Sequence, residues 1–532
     1  MDSYSAVNNL NETINGFKSR VDIKIDSVNT STASIRATTD RIYDSISKFK
    51  SDMIQNEEKQ IAHENILRID QILKEQFRDY EAIRRTIMGV VRDFDINLVR
   101  NSTIQELSEE LWIANSRYWL SYVLIAVTAW VNNYPDIAKN ALSEGVRRDS
   151  IKSTLFFCLM NLRFGRNEVA KQWLLEYIKI LEPAKLQQES AVLLQAYLNG
   201  IFGTDKELEN EVNKIIRGWI NVLHMEKETS SEMVEAYQRF IENQASPVSC
   251  EYPTLTKYCA NVNNIVSSHC NVAKYEALIQ FIHSFDVELE QQSKENYKSR
   301  VDNILMNLIS NYDKEELELK NQQTYFRMII NNGGRVDVAE QQYEEHNKLQ
   351  PEGFNVGSQM VKWALYDENG QTDIQVRKFG LQNTKIWFNE AIENWTTKLQ
   401  QELPLDFTLK IDLWSGVSNG NDYSEQVENM KTFYENNKFL IKYVNGLNIL
   451  ALLLLIVSIG LVLVTPFSLI GTALAAGFLL FNILTANKRY SELKKNSLES
   501  LSNCMNELAD FKVFYENNKN KKDRLIAELE YL

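Results

Sequence analysis

The chain has 532 residues, enough for several domains, with 24% charged residues and a formal net charge of −13. That acidity argues against general nucleic-acid binding, which needs a positive surface facing phosphate. Seven prolines and 19 glycines favour long helices with few turns, and five cysteines without regular spacing do not make a disulfide framework.

Residues 1–100 read as long amphipathic, coiled-coil-like helices. Ile14, Val21, Val28, Ile35, Ile42 and Phe49 recur every seven residues. Phe17, Ile25, Ile46 and Met53 fill neighbouring positions of the same stripe. A sustained seven-residue repeat winds helices around one another. The rest of this face is Ser, Thr, Asn, Asp and Lys, so the stripe is narrow. It needs a partner, either another helix of this chain or another copy. The polar stretch 1–30 does not read as a signal peptide, and a reducing cytoplasm is the expected setting.

Residues 101–349 read as a helical array. The apolar run 119–131 is short and closed by Asn132, Asn133 and Pro135, which marks a buried core helix and not a membrane span. Ile137-Ala138-Lys139-Asn140-Ala141-Leu142 is echoed by Val169-Ala170-Lys171-Gln172-Trp173-Leu174, and each string follows an apolar helix. A third unit is expected over 191–215. The spacing resembles the tetratricopeptide repeat, although the usual Trp-Leu-Gly-Tyr pattern is absent. The resemblance implies stacked helical hairpins with a concave face for a peptide or a partner helix. Helices are expected to continue over 221–345, interrupted near Pro247 and Pro253, with a turn at Gly333-Gly334 and helix resuming at Arg335.

Residues 350–420 change character. The stretches 360–366 and 372–376 read as two strands around Asp367-Glu368-Asn369-Gly370, since Asn-Gly between such runs signals a hairpin. Helix is expected over 385–403. A third strand is expected over 406–414, with Phe407, Leu409, Ile411 and Leu413 on one face. Together these make a small mixed α/β module.

Residues 421–446 read as a helix leading into the most distinctive stretch. From Tyr443 to Asn487 there is no Asp, Glu, Lys or Arg in 45 residues. Two apolar blocks, bounded by Leu447 and Val464 and by Phe467 and Thr485, flank Thr465-Pro466. Each is close to the ~20 residues that cross a ~30 Å hydrocarbon core, and lipid would force each to be helical. The expectation for 447–486 is a transmembrane helical hairpin, with Leu455 mid-span and Pro466 ending the first helix. Gly471, Ala475 and Gly477 offer small residues for close helix approach. Asn448 and Ser458 are read as lying on different faces, so that no polar line runs along the first helix. Lys438, Lys442, Lys488, Arg489, Lys494 and Lys495 flank the hairpin, and its turn is uncharged. The positive-inside rule then puts both termini on the cytoplasmic side of a two-span protein. Residues 487–532 read as a C-terminal amphipathic helix. The string Phe-Tyr-Glu-Asn-Asn-Lys occurs at both 433–438 and 514–519, without an evident role.

Chemistry is sparse. Cys250, Cys259, His269 and Cys270 come nearest to a metal set, but zinc ligands usually arrive in pairs two to four residues apart. No phosphate-binding glycine loop, nucleophile elbow or His-Glu-x-x-His motif occurs. No catalytic, cofactor-binding or metal-ligating residue is therefore assigned, and an enzyme is not expected. The reading is a mainly α-helical, membrane-anchored interaction scaffold with its body in the cytoplasm. Its partners would be the lipid bilayer and a protein, or itself, through the coiled coil and the helical array. The alternative is an α-helical pore-forming protein whose hairpin is shielded until triggered; the resemblance to that class is architectural.

Overall fold

The computed structural model describes residues 2–93, 117–285, 294–348, 353–366, 373–444, 446–462 and 468–532. In chain order the first helices are α1 (Asp2–Gln76), α2 (Tyr80–Asp93), α3 (Trp119–Val131), α4 (Pro135–Arg148), α5 (Ser150–Arg163) and α6 (Asn167–Ile180). Next come α7 (Gln188–Leu198), α8 (Lys206–Met225), α9 (Lys227–Asn243), α10 (Pro253–Tyr258), α11 (Val262–His283), α12 (Lys294–Ser310), α13 (Lys314–Asn331) and α14 (Val336–Lys348). The remainder is α15 (Val356–Leu365), α16 (Ile374–Glu402), β1 (Phe407–Ile411), β2 (Trp414–Ser418), α17 (Tyr423–Asn436), α18 (Lys438–Tyr443), α19 (Gly446–Val462), α20 (Ser468–Lys519) and α21 (Lys521–Tyr531). The chain is thus mainly α-helical. It divides into two compact units: residues 1–181, 187–189 and 299–352 in one, and 182–186, 190–298 and 353–532 in the other.

In the first unit α3 packs on α4 and α5 on α6, as two consecutive helical hairpins. Pro135 occupies the first turn of α4, where its missing N–H costs nothing. The Asp149 carboxylate caps α5 by accepting from the Lys152 amide at 2.9 Å. The two echoed strings sit alike: Ile137 and Val169 are exposed, while Ala138 and Ala170 are buried. The third unit expected over 191–215 falls in the other compact unit. Against this body Arg84 of α2 makes a bidentate ion pair with Glu316 of α13, at 2.6 and 3.0 Å, both side chains being buried. Tyr80 stacks on Tyr118 beside it, centroids 3.8 Å apart. The C-terminal part of α1 packs on α13, where Ala62, Ile329 and Ala339 form a small core. The Gln323 amide donates to Asp70 at 2.6 Å in the same contact.

The second unit is organised around α16. Trp387, Phe388, Ala391, Ile392 and Trp395 bury one face of it, with α9 and α15 packed alongside. Hydroxyls tie the layers: Tyr237 and Thr384 are 2.5 Å apart, and Tyr275 and Thr396 2.8 Å. Buried polar groups need such partners, because an unmade bond costs about 1–3 kcal/mol. The Glu507 carboxylate of α20 caps α10, accepting from the Thr254 and Leu255 amides at 3.0 and 2.8 Å.

Residues 350–420 require a correction. The stretch expected as a strand over 360–366 lies in α15, and the one over 372–376 runs into α16, which begins at Ile374 and not near Lys385. The reasons are local. Asn355 caps α15 through the Gly357 amide at 2.7 Å, and Asp373 caps α16 through the Gln375 amide at 3.1 Å. Val356, Met360 and Ala364 then recur at helical spacing and are all buried. The Asp367-Glu368-Asn369-Gly370 turn lies outside the described residues. Among the described residues the sheet consists of β1 and β2, antiparallel, with Phe407 opposite Ser418 and Ile411 opposite Trp414. Leu413 does not share the face of Phe407, Leu409 and Ile411. It is exposed in the turn, where Asp412 takes a φ of 50°, a conformation that Asp tolerates.

Candidate functional site

The region of greatest interest is where α17 and α18 lead through α19 into α20. Its base is built by α17 and the middle of α20. Tyr434 is fully buried and its hydroxyl lies 2.7 Å from that of Ser497. The Tyr490 hydroxyl donates to the Tyr434 carbonyl at 2.9 Å. Basic residues gather at this base. Lys494 pairs with Glu435 at 2.6 Å and Lys438 with the same carboxylate at 3.4 Å. These hydrogen bonds hold the Glu435 carboxyl below the usual carboxylate range. Lys442 bonds the Asn487 side chain and lies 5.1 Å from the Tyr490 ring centroid. The Arg489 guanidinium donates to the Asn482 carbonyl at 2.6 Å. Lys488 and Lys495 are exposed.

Beyond the base, α19 and α20 pack on one another. Their seam is small and polar. On α19 Asn448 and Ala451 are buried, and Leu455 and Ser458 are half-buried. These four recur at the three- and four-residue steps that keep side chains on one helix face, so Asn448 and Ser458 share a face. That corrects the expectation that they diverge. On α20 the seam is Thr472, Ala475, Leu479, Asn482 and Ala486. Ala451 and Ala486, each 2% exposed, make the close approach. Gly471 and Gly477 do not, since an added Cβ at either would meet nothing within 4 Å. Thr485 is half-buried and donates to the Phe481 carbonyl at 2.8 Å. Leu447 lies in α19 with its side chain outside the description, and Val464, Pro466 and Phe467 lie outside the described residues.

The outer surface of the same pair is apolar and bare. Leu450, Leu453, Val457, Leu474, Phe481 and Leu484 are each about half exposed or more. Contiguous exposed apolar surface on this scale marks a membrane or protein contact. Among the described residues, however, no helix is long and apolar enough to cross a membrane. The two-span expectation is therefore not carried by the helices as they stand. The described part of α19 has 17 residues, ~25 Å at 1.5 Å per residue, against a ~30 Å hydrocarbon core.

The repeated Phe-Tyr-Glu-Asn-Asn-Lys string, unexplained by sequence, has a structural counterpart. Both copies end a helix, α17 and α20. In each the second Asn donates its side-chain amide to the carbonyl of the Phe four residues earlier, at 2.9 Å. Each Tyr is buried and each Glu exposed. The same side-chain bond is made by Asn65 and Asn383 inside helices, so what the two copies share is their place near a helix end and their burial pattern.

The stripe Ile14, Val21, Val28, Ile35, Ile42 and Phe49 lies along α1 and is exposed throughout, from 37% at Val21 to 70% at Phe49. The cysteine group separates. Cys250 and Cys270 have sulfurs 3.9 Å apart, while Cys259 is buried with its thiol on Asn261 at 3.2 Å. Burial and the nearby Cys270 push the Cys250 thiol up to about 11. His269 is a packed core residue. Its Nδ1 lies 2.7 Å from the Tyr252 hydroxyl, its ring stacks on Phe514 at 3.8 Å, and burial lowers its pKa. Among the described residues no three His, Cys, Asp or Glu side chains converge where a metal ion would sit. No family model, curated protein or solved structure matches this chain.

Proposed function

We propose that the chain is a helical interaction scaffold held on a lipid membrane by the α19–α20 hairpin, with its body on the cytoplasmic side and no substrate of its own. The observation that carries this reading is the bare apolar exterior of the α19–α20 pair, flanked in sequence by Lys438, Lys442, Lys488, Arg489, Lys494 and Lys495. Lipid is the solvent in which that exterior is at no disadvantage, and each basic residue beside anionic headgroups contributes ~1 kcal/mol. The uncharged sequence continues past α19 into 463–467, so insertion involves the hairpin as a whole. The paired helices α3–α6 would supply the surface for a protein partner.

One observation favours a second reading, a membrane-inserting, pore-forming protein. Asn448, Ser458, Thr472 and Asn482 line one seam, and a seam opened toward water would present them together. A single experiment addresses both readings. Full-length protein is floated with dye-loaded vesicles containing anionic lipid, beside the Leu453→Arg variant. Leu453 is exposed, so Arg leaves the fold intact but costs ~2.5–3.5 kcal/mol in lipid, roughly a hundredfold in partitioning. Flotation of the parent and loss by Leu453→Arg, without dye release, is the expected result. Equal flotation of both overturns the membrane reading, and hairpin-dependent dye release promotes the pore.

A further inference from the structure

The stripe on α1 was open to two partners, a helix of the same chain or a second copy. Among the described residues, α1 packs on α13 from about Gln55 onward, where Ala62 and Ile69 are buried. Residues 8–54 are exposed along nearly their whole length, the stripe included. We infer that a second copy of this chain covers residues 14–53, running antiparallel to the first.

The direction follows from the sequence of the stripe itself. Its fully apolar column is Ile14, Val21, Val28, Ile35, Ile42 and Phe49. The column beside it, four residues on, is Lys18, Ile25, Thr32, Thr39, Ile46 and Met53. A parallel, in-register pair would stack Lys18 on Lys18, Thr32 on Thr32 and Thr39 on Thr39. In an antiparallel pair the two columns face each other. Ile25 then meets Ile42, Ile46 meets Val21 and Met53 meets Ile14. Every polar position meets an apolar one: Thr32 on Ile35, Thr39 on Val28, Lys18 on Phe49.

Two further observations make this pairing inexpensive. The Thr32 hydroxyl donates to the Val28 carbonyl at 2.8 Å and the Thr39 hydroxyl to the Ile35 carbonyl at 2.9 Å. Both hydroxyls are satisfied within their own helix, so each threonine offers its methyl to a partner without stranding a donor. Charge does not oppose the pairing either. Residues 8–54 hold seven Lys or Arg and six Asp or Glu, a balance of +1 in a chain of −13. Two copies brought together along this stretch meet as nearly neutral surfaces.

The stripe lies on a different part of the chain from the hairpin, so the inference stands apart from the membrane reading. Its test uses the full chain in mild detergent and needs no vesicle. Ile25→Cys and Ile42→Cys are produced separately and also co-expressed, then exposed to a mild oxidant, with the parent chain as the baseline for its native thiols. Co-expression should give a disulfide-linked dimer, at least tenfold above either variant alone. Light scattering should show twice the monomer mass, falling to monomer for Val28→Asp with Ile35→Asp at unchanged helical content. Crosslinking of each variant with itself would establish a parallel pair and overturn the inference. Monomer mass for the parent chain, or no interchain product in any combination, would overturn it equally.

Discussion

Two stretches of this chain expose apolar side chains, and they do so in opposite ways. On α1 the apolar residues form a narrow line at a seven-residue period, backed by Ser, Thr and charged residues. On α19 and the first half of α20 the exterior is apolar, and the polar residues Asn448, Ser458, Thr472 and Asn482 turn inward to the seam. A line of apolar residues on a polar rod matches one other helix, because only a narrow strip gains from leaving water. An apolar exterior around a polar seam matches a solvent, because the gain accrues on every outward face. The same residue types, Leu, Ile and Val, thus speak for different partners according to where the polar residues sit.

The comparison rests on each surface lying outside the core of its own unit, and a buried pair sets the scale against which that is judged. Glu316→Ala would leave Arg84 buried without its bidentate partner. Breaking one side of a buried pair costs about 3–5 kcal/mol, so thermal unfolding should show a marked loss. Leu453→Arg should leave that unfolding unchanged. A melting loss at Leu453 matching that at Glu316 would mean the hairpin exterior is part of the body, and the contrast would fail.

A smaller effect sharpens the account of the seam. Asn482 is 3% exposed, and among the described residues its side-chain amide nitrogen finds no acceptor. Replacing it with Leu, of similar volume, removes a buried unsatisfied donor worth about 1–3 kcal/mol. Asn482→Leu should therefore raise the melting temperature in detergent. If it instead lowers stability, the seam meets water in the working protein and the pore reading gains.

The smallest effect concerns α21, a helix that contributes to neither surface. It is docked by ion pairs, Lys521 with Glu276 at 2.8 Å and Glu530 with Lys385 at 2.7 Å. Both carboxyls are held below their ordinary range, Glu276 chiefly by its hydrogen bond to Lys521 and Glu530 by that to Lys385. A depressed carboxylate contributes stability in full above its unfolded value, about 4.3, and loses it as pH falls through the folded value. The pairs are partly exposed, so each is worth less than about 1 kcal/mol. With the intrinsic pH dependence of exchange divided out, protection over 521–531 should fall modestly below pH ~4 while that of α1 holds; a uniform loss of protection along the chain would discount these pairs.

Much was determined by sequence alone. Mainly helical content followed from few Pro and Gly, and the pairing of apolar helices with the strings at 137–142 and 169–174 followed from their echo. That helix would flank residues 463–467 on both sides was legible because 45 uncharged, mostly apolar residues leave few alternatives. What only tertiary structure decided were choices between local signals of similar strength. The stretch 360–366 alternates well enough for a strand, but a cap at Asn355 and burial of one helical face against α16 made it helix. Asn448 and Ser458 looked divergent until α20 showed which face of α19 it covers. Which part of α1 packs on α13 depended on where the two helices meet, which no periodicity encodes. Periodicity fixes which face of an element is apolar; what covers that face is set by the elements that come to rest against it.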